Sequence, residues 1–554
     1  MNKVISILFV VLSVISSACT QSERLWVEAE SFKNKGGWVV DQQFIDQMGS
    51  SYLMAHGMGK PVEDAETEIS FDKTGVYYVY VRTYNWTSPW SESKGPGRFQ
   101  LSLNGNVLPV ELGATGNSWM WQSAGSIDVK QKKNKLSLHD LTGFNGRCDA
   151  IYFTMDANDV PVSDCTALNR MRRQMLNLKD TPETIDKYDF VVVGGGIAGM
   201  SAAITAARLG CKVALVHDRP VLGGNNSSEV RVHLGGRIEA GPYTALGNLQ
   251  KEFGPHKGGN AQPGSFYEDG KKMEAVKKEK NITLFASYRA FDAETEGNRI
   301  TKIYIRNIET NKEMALSAPL FADCTGDANL GAMVNAEYRI GRESKAEFNE
   351  PTAPEKADKM TMGASVQWYS REDSAPSSFP KFKYHAGFNE ESSEKVTMGE
   401  WTWETGMNKD QVEEAEYIRD YGLLVVYSNW SFLKNDYSKK EEYANRSLKW
   451  VAYIAGKRES RRLIGDHVLT ENDLVDFVEY PDATGSTTWT IDLHYPDPAN
   501  TLYFADKEFK SICKMKKIHP YPIPYRCLYS KNIENMFMAG RNISVTHVAL
   551  GTVR

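Results

Sequence analysis

The stretch Tyr188-Asp-Phe-Val-Val-Val-Gly-Gly-Gly-Ile-Ala-Gly199 decides the fold of the larger part of this chain. Its first half is a continuous apolar run, which is typical of a central parallel strand that is buried on both faces. Its second half has the G-x-G-x-x-G spacing, and the small and apolar residues after it predict a helix. The glycines of that spacing are Gly194, Gly196 and Gly199.

Each glycine has a physical reason to be there. The first permits a tight turn, the second lets a pyrophosphate approach the backbone, and the third lets the helix pack closely on the strand. The helix N-terminus adds N–H donors and the positive end of a dipole. The acid that binds the adenosine ribose is expected at the end of the second strand, Lys212–Val216, where the chain has His217 and then Asp218. We therefore predict a dinucleotide-binding βαβ unit with Asp218 as its ribose ligand.

Three later segments resemble those of FAD-dependent oxidoreductases with the glutathione-reductase fold of the fumarate-reductase-like group. Arg219-Pro-Val-Leu-Gly-Gly-Asn-Asn-Ser-Ser-Glu-Val-Arg231 resembles the segment after the second strand. Leu320-Phe-Ala-Asp-Cys-Thr-Gly-Asp327 resembles a strand that leads into a Thr-Gly-Asp turn near the flavin. Met536-Phe-Met-Ala-Gly-Arg541 resembles the late strand whose glycine closes over the pyrophosphate and ribityl chain. The resemblance covers residues 185–554 and implies FAD as the cofactor, with further ligands at Gly223, Gly224, Asn225, Gly326, Asp327, Gly540 and Arg541.

The N-terminal quarter has a different pattern. Val76–Arg82, Phe99–Leu103 and Lys135–His139 alternate with period two, and Asn104-Gly105 is a hairpin-turn signal. Many short strands without a helical period predict an antiparallel sandwich. The opening Trp26-Val-Glu-Ala-Glu30 resembles that of carbohydrate-binding β-sandwich modules, including the golvesin and xanthan-lyase-type accessory domains.

The predicted fold is therefore multidomain. An antiparallel β-sandwich is followed by an α/β FAD-binding, Rossmann-like domain into which an α+β substrate or cap domain is inserted. In the family a helix follows the last motif and packs beside the flavin, whereas this chain stops at Arg554, so we expect a truncated chain with lowered FAD affinity. The expected boundaries are 1–18 for a signal peptide, 24–156 for the sandwich, 157–184 for a linker with a helix at 167–178, 185–344 for the first part of the FAD-binding domain, 345–520 for the cap region, and 521–554 for the last part of the FAD-binding domain.

The first residues have the pattern of an export signal. Lys3 precedes the apolar run Val4–Val14, which is too short to cross a bilayer, and Ser-Ala stands before Cys19. This order resembles a bacterial lipobox, in which Cys19 becomes the lipidated N-terminus. We expect an exported outer-membrane or periplasmic lipoprotein that meets the membrane only through this anchor; plain secretion with cleavage nearby is the alternative.

Composition excludes several classes of protein. A length of 554 residues predicts two to four domains, and 41% hydrophobic with 24% charged residues excludes a disordered, collagen-like or polytopic membrane chain. Lys+Arg 65 against Asp+Glu 70 gives a net charge of -5, which argues against a nucleic-acid partner. Seven cysteines without a C-x-x-C pair exclude a disulfide scaffold and a zinc ribbon, and we predict no metal site. A Cys148–Cys165 bridge is left open.

Candidate catalytic residues come from the histidines and from one arginine cluster. His547 follows the late FAD motif, where the resemblance brings it toward the flavin; His494 lies in an alternating strand of the cap, and His233 is a third candidate. A segment with apolar residues at helical spacing leads into Arg458, Arg461 and Arg462, so we predict a helix that carries these three arginines on one face. On that face Arg461 is expected to orient a substrate or a flavin oxygen. The alternative is a set of cations at a helix C-terminus.

The most economical function is oxidation of a hydroxyl of a carbohydrate or related polyol, in which His547 or His494 takes the hydroxyl proton. Indole faces stack on sugars but also fill cores, and Trp86 with Trp90 and Trp401 with Trp403 lie in polar stretches that suit sugar sites. The electron acceptor is open. A lyase-like polysaccharide enzyme and a surface glycan-binding protein with a structural flavin domain are the rival hypotheses.

Overall fold

A computed structural model describes residues 23–236, 245–384, 387–487 and 489–554. The predicted signal peptide and Cys19 lie outside the described residues. Among the helices that are described, none combines the length and the apolar character that a membrane span requires.

The N-terminal part is an antiparallel β-sandwich. Its strands form sheets of order β1-β11-β5-β8, β10-β3-β2 and β4-β9-β6-β7, which bury one core between them. The predicted Asn104-Gly105 turn is confirmed: both residues have positive φ (52° and 81°) and join β6 to β7 as a two-residue hairpin. The elements are β1 (Arg24–Glu28), β2 (Trp38–Asp41), α1 (Ile45–Met48), β3 (Tyr52–Ala55), β4 (Ala65–Ser70), β5 (Gly75–Thr83), β6 (Phe99–Leu103), β7 (Asn106–Val107), β8 (Met120–Val129), β9 (Lys133–Asp140), β10 (Gly146–Cys148) and β11 (Ala150–Thr154), with a 3-10 turn at Ala29–Ser31.

The connector packs on the sandwich through its helix α2 (Cys165–Met175). The buried Arg172 side chain of this helix binds Glu28 (2.7 Å) and Asp149 (2.9 Å). Cys148 and Cys165 are both free thiols, one buried and one exposed, so the disulfide that the sequence left open is not formed.

A five-stranded parallel sheet of order β15-β14-β13-β19-β30 is the centre of the second domain. A second sheet of order β12-β18-β17-β16 packs beside it. The elements of the first part are β12 (Thr184–Ile185), β13 (Phe190–Val193), α3 (Ile197–Arg208), β14 (Val213–His217), α4 (Gly247–Phe253), α5 (Asp269–Lys277), β15 (Ile282–Ala286), β16 (Tyr288–Glu296), β17 (Arg299–Asn307), β18 (Glu313–Ser317), β19 (Leu320–Asp323), α6 (Asn329–Met333) and β20 (Tyr338–Arg339), with a 3-10 turn at Gly264–Tyr267.

The cap region is built from two-stranded antiparallel sheets around one long buried helix, α8. Its elements are α7 (Lys345–Phe348), β21 (Ala364–Ser365), β22 (Trp368–Glu372), α8 (Ala415–Asn435), β23 (Arg446–Val451), β24 (Gly456–Lys457), β25 (Arg462–Leu463), α9 (Glu471–Val475), β26 (Ala483–Thr487), β27 (Ile491–Pro496), α10 (Pro498–Phe504) and β28 (Ser511–Lys516), with a 3-10 turn at Lys440–Tyr443. The chain then returns to the parallel sheet through β29 (Tyr521–Pro524), a 3-10 turn at Tyr525–Cys527, β30 (Met536–Met538) and α11 (His547–Val553).

One prediction about a helix is wrong. The segment that ends in Arg458, Arg461 and Arg462 is not a helix, because β23 pairs with the distant β22 and the chain continues through β24 and β25. Long-range strand pairing outweighs the helical spacing of a few apolar residues there. The described chain also contains a helix after the late motif: α11 begins at His547, with Thr546 as its N-cap.

The sandwich and the cap region share a hydrophobic core, so the sandwich is not a loose appendage. Trp86 and Phe144 of the sandwich pack against Phe382 and Tyr427 of the cap. Close to this core lies a buried ion-pair network between the two parts. Its ion pairs join Arg147 to Glu416 and Asp420, and Arg419 to Asp41 and Asp420.

Candidate functional site

The glycine-rich turn is shaped for close backbone approach. Gly194 has φ +108°, and a Cβ there would lie 2.2 Å from the carbonyl oxygen of Cys324. A Cβ on Gly199 would lie 1.9 Å from the oxygen of Gly194. A Cβ on Gly196, by contrast, would meet no atom closer than 3.9 Å. Gly194 and Gly199 therefore serve the fold, whereas Gly196 keeps space free at the N-terminus of α3.

The two residues at the end of β14 have separate roles. His217 is buried, its Nδ1 accepts a hydrogen bond from the Gly195 N–H (3.0 Å), and its Nε2 donates to the Val221 carbonyl (2.9 Å). Asp218 lines the cavity described below, and its Oδ2 binds Arg289 (2.9 Å). Burial alone would raise the pKa of Asp218, but the charge of Arg289 lowers it, so Asp218 is ionised and suited to accept hydroxyl hydrogen bonds.

The segment after β14 folds back onto the glycine-rich turn. Gly223 donates its N–H to the Gly195 carbonyl (2.9 Å), and Gly223 and Gly224 both have positive φ (112° and 61°). Asn225 donates from its side-chain amide to the Lys457 carbonyl (2.9 Å), which links this segment to the cap.

A half-buried ion cluster lies where β19 and β30 end. Asp327 binds Lys457 (2.8 Å) and Arg541 (2.7 Å) and accepts a hydrogen bond from Ser460 (2.7 Å). Burial alone would raise the pKa of Asp327, but the charges of Lys457 and Arg541 hold it well below its usual range. The Asp327 carboxylate therefore already has protein partners, and it fixes Arg541 and Lys457 on the wall of the site.

One large cavity of about 1210 Å³ joins all these segments. It exceeds the roughly 300–1,000 Å³ of ordinary small-molecule sites. The predicted cofactor and site residues on its wall are Gly194, Gly196, Asp218, Gly223, Gly224, Asn225, Gly326, Asp327, Gly540, Arg541, Arg461 and His233. Gly199 lies behind the turn. The sequence motifs are thus brought together around one space.

The wall of this cavity fits FAD. Arg461 and Arg541 each have a buried Nε without a hydrogen-bond partner among the described residues. Two unused N–H donors, the free space at Gly196 and the helix N-terminus suit an anionic group such as a pyrophosphate. Gly540, with φ +103°, leaves similar space near Ala198 of α3, since a Cβ there would meet no atom closer than 3.6 Å. These residues would hold the cofactor.

The structure gives His547 no access to the cavity. It is buried at the start of α11, where its Nδ1 lies 2.9 Å from the Glu459 carboxylate and its backbone N–H donates to Glu343 (2.9 Å). Its Nε2 is buried without a hydrogen-bond partner among the described residues. The exposed His233 does line the cavity, and its Nδ1 lies 2.9 Å from Asn260 Oδ1.

His494 belongs to a buried polar cluster beside the cavity. Its Nδ1 contacts the Glu404 carboxylate, and its Nε2 lies 3.3 Å from Asp492 Oδ2 and 3.1 Å from Arg554 Nη2. Arg554 also binds Asp492 Oδ2 (2.9 Å). Asp492 and Arg554 line the cavity, whereas His494 stands behind them. Asp492 Oδ1 is buried and has no hydrogen-bond partner within the described ranges.

The charges of this cluster follow from its contacts. Burial alone would lower the pKa of His494, but the charge of Glu404 and hydrogen bonds with Asp492, Cys513 and Glu404 raise it to about 9. Burial alone would raise the pKa of Asp492, yet the hydrogen bond from His494 and the charge of Arg554 lower it. At neutral pH the cluster therefore holds an imidazolium behind an ionised carboxylate.

Asp492, His494 and Cys513 also stand close enough together to ligate a metal ion. Arg554 argues against that use, because its guanidinium lies 3.1 Å from the His494 nitrogen and would repel a cation there.

The tryptophans chosen from polar stretches divide into two groups. Trp86 and Trp403 are buried in the core that the sandwich shares with the cap, so the prediction that they line sugar sites is wrong. Trp90 donates its indole N–H to the Tyr417 hydroxyl (3.1 Å) at the same interface. Trp401 lines the cavity, with the Arg458 guanidinium 3.6 Å from its ring centroid. Trp489, which sequence reasoning passed over, also lines the cavity and is 37% exposed.

Sequence reasoning also missed Asp492 and Arg554. Asp492 stands two positions before His494 on β27, so a period-two pattern places both side chains on one face, and that signal would have found it. Arg554 follows α11, and no local pattern links it to β27.

Comparisons with known proteins give one family match and several partial similarities. A family model described as FAD dependent oxidoreductase matches residues 189–554. A soluble pyridine nucleotide transhydrogenase of Ectopseudomonas mendocina (strain ymp) is 58% identical over 38 residues, which are 7% of this chain and 8% of that relative's length. Among solved structures, the myxobacterial FAD-dependent chondrochloren halogenase CndH is 16% identical over 36% of this chain and 46% of its own, with a TM-score of 0.22. The CBM35 of Paenibacillus barcinonensis is 18% identical over 24% of this chain and 98% of its own, with a TM-score of 0.20.

Proposed function

This chain belongs to the FAD dependent oxidoreductase family, and from that premise we propose that it oxidises a hydroxyl group of a carbohydrate or related polyol. The observation that carries the proposal is Asp492. Its carboxylate lies on the cavity wall, one oxygen is held by His494 and Arg554, and the other has no hydrogen-bond partner among the described residues. An ionised oxygen without a partner is suited to accept the hydrogen bond of a substrate hydroxyl.

In the proposed reaction a C–H bond and an O–H bond break and a C=O bond forms. FAD, held by residues that include Gly196, Arg461 and Arg541, would supply the two-electron acceptor for the hydride. The Asp492 carboxylate accepts the hydroxyl proton and releases it to the water that fills the cavity after the product leaves. His494 is a positioning residue in this scheme, because it stands behind Asp492 and is protonated at neutral pH. This replaces the role of general base that the sequence suggested for His494.

The class of substrate is supported by the surroundings of Asp492. Trp401 and Trp489 line the same cavity as Asp492, and indole rings pack against the C–H faces of sugars. The buried Arg458 side chain packs on the Trp401 ring and donates a hydrogen bond to the Gly363 carbonyl (3.1 Å). This contact holds the indole in a fixed position. A cavity lined by aromatic rings, a carboxylate and a guanidinium suits a ligand with both apolar faces and hydroxyl groups.

The test is anaerobic reduction of the holoenzyme. Monosaccharides, oligosaccharides and polyols are screened for bleaching of the flavin band at about 450 nm. Asp492→Asn is expected to slow bleaching by at least about 100-fold with unchanged FAD content, because the proton acceptor is lost. Asp497→Asn is the matched control, since Asp497 caps α10 outside the cavity.

The opposite results are equally clear. If no hydroxyl compound bleaches the flavin while a polysaccharide is still cleaved, the lyase-like alternative replaces the proposal. If glycans are bound without bleaching or cleavage, the glycan-binding alternative replaces it. Equal rates in the two asparagine variants would remove Asp492 from the reaction.

The cellular location of the protein is a separate proposal, which rests on the export-signal pattern of the first 19 residues. We propose export and lipidation at Cys19. Labelled palmitate is expected to enter the natural chain and not Cys19→Ser, which is expected to lose membrane attachment. Equal membrane attachment of the two chains would overturn the lipid anchor, and release of the natural chain into the medium would favour plain secretion.

A further inference from the structure

The sandwich forms part of the wall of the cofactor cavity. The residues involved are Gln42, Gln43, Phe44, Ile45, Asp46, Gln47 and Gly49, which we call the 42–49 segment. It contains the short helix α1 and follows strand β2 directly. A carbohydrate-binding-like domain thus contributes to a cavity whose other walls carry the dinucleotide motifs.

The 42–49 segment is bound to the FAD-binding domain next to the ribose acid. Asp46 binds Arg289 of β16 (Nε to Oδ1, 3.0 Å), and the same guanidinium binds Asp218 Oδ2 (2.9 Å). Arg306 of β17 donates to the Gly49 carbonyl. One arginine therefore links a sandwich carboxylate to the predicted ribose ligand.

The segment is also fixed to the cap on its other side. The Gln43 side chain donates to the Tyr453 carbonyl (2.9 Å) and accepts from the Ala455 N–H (3.0 Å). The buried Phe44 ring lies under the Arg419 guanidinium, with 4.9 Å between the guanidinium carbon and the ring centroid. Contacts on both sides make the 42–49 segment a fixed wall.

The position of Asp218 shows which end of the cofactor this wall faces. The acid at the end of the second strand binds the adenosine ribose, and the adenine lies on the far side of that ribose from the pyrophosphate. Asp46 shares Arg289 with Asp218, and the cavity continues past it to Gly49 and to Asn169 of α2. We infer that the 42–49 segment forms the adenosine end of the FAD site, so that the sandwich is a cofactor-binding part of the enzyme.

Asp46 acts in this site as a positioning residue. By holding one side of Arg289, it keeps that guanidinium on Oδ2 of Asp218 alone. Asp218 Oδ1 is then left for a ribose hydroxyl. Without Asp46, Arg289 is free to engage both oxygens and to compete with the ribose. The inference depends on FAD binding and not on the proposed substrate.

The test measures ligand binding to the apoprotein by calorimetry, with ADP and FMN as probes of the two ends of the cofactor. Asp46→Ala is expected to weaken ADP and FAD binding about tenfold, the order of one hydrogen bond to a charged group, and to leave FMN binding unchanged. Lys35→Met is the matched control, because it breaks the Lys35–Glu309 pair (2.6 Å), which also joins the sandwich to the FAD-binding domain but does not line the cavity.

Equal losses in Asp46→Ala and Lys35→Met, or equal losses for ADP and FMN, would show that the segment only docks the two domains and would overturn the inference. A measurement on the natural apoprotein covers the case in which Asp46→Ala does not fold. Hydrogen exchange in residues 42–49 is expected to slow when ADP is added and not when FMN is added. Unchanged exchange with ADP would overturn the inference as well, and none of these readouts involves a sugar.

Discussion

The backbone N–H of Gly195 donates a hydrogen bond to Nδ1 of His217 over 3.0 Å, so the end of the second strand supports the glycine-rich turn through an imidazole. The other ring nitrogen donates to the Val221 carbonyl (2.9 Å). Burial, together with the charge of Arg219, lowers the pKa of His217 to about 4, so the ring is neutral at pH 7 and makes both hydrogen bonds. The neutral imidazole of His217, which accepts one hydrogen bond and donates another, thus occupies the position at the end of the second strand where the ribose-binding acid is usually found. Asp218, the next residue, faces the cavity.

His217 should make the protein less stable in mild acid. Its pKa is lower in the folded chain than in the unfolded one, so the unfolded state binds more protons between pH 6.5 and about 4. Stability from this group is full above pH 6.5 and falls by about 3 kcal/mol as the pH approaches 4. Urea unfolding of the natural chain and of His217→Gln across this range should show a shallower pH dependence in the variant.

The control for this experiment is His139→Gln, which removes an exposed histidine from the sandwich surface. It should leave the pH dependence of the natural chain in place. If the two variants behave alike, the buried hydrogen bonds of His217 do not set the acid sensitivity.

Substitutions in the glycine-rich turn should separate folding from cofactor binding. Gly196 has φ −68° and open space beside it, so Gly196→Val should change apoprotein stability by no more than about 1 kcal/mol while it blocks FAD. Gly199→Val meets the Gly194 oxygen and should destabilise the apoprotein by about 1–3 kcal/mol or more. Thermal unfolding of the apoproteins and absorbance of bound flavin measure the two effects. If Gly196→Val still bound FAD, the proposal that the cofactor approaches the backbone at Gly196 would be wrong.

The sequence predicts the parts of the fold that local patterns control. The run that ends at Val193 and the glycines after it form the predicted strand, turn and helix, and Asn104-Gly105 forms the predicted hairpin turn. The helix predicted around Trp450 is wrong because this segment is a strand whose partner lies about 80 residues earlier, at Trp368–Glu372. Helical spacing carries no information about that pairing.

The site was only partly predictable for the same reason. The glycines and Asp218 belong to a motif, so their positions follow from one another. Asp492 and Arg554 meet only because β27 and the end of α11 pack together, and Asp46 meets Arg289 only because the sandwich docks on the second domain. These contacts depend on tertiary structure that no spacing in the sequence shows.

His494 should show the opposite pH dependence to His217. Its pKa rises from 6.5 to about 9 on folding, so its stabilising contribution is full below pH 6.5 and is lost as the pH rises through about 9. His494→Gln should be less stable than the natural chain at pH 7 and should differ less from it at pH 9.5. Urea unfolding at the two values measures this, with the exposed His519→Gln as control. A difference that does not shrink with pH would contradict a protonated His494.

The buried ion pairs between the sandwich and the cap should hold the two parts in one cooperative unit. The fully buried Arg419 binds Asp41 (2.6 Å) and Asp420 (2.8 Å), so Arg419→Met leaves two carboxylates without their shared cation and should cost about 3–5 kcal/mol. Arg98→Met breaks an exposed pair with Glu111 and should cost no more than about 1 kcal/mol. Urea unfolding, followed by tryptophan fluorescence and by circular dichroism, measures both values.

In the natural chain the fluorescence and circular dichroism signals should change together, because the core that contains Trp86 and Tyr427 is shared and cannot persist in one part alone. Separate transitions, or equal costs for the two variants, would mean that the sandwich folds independently of the rest.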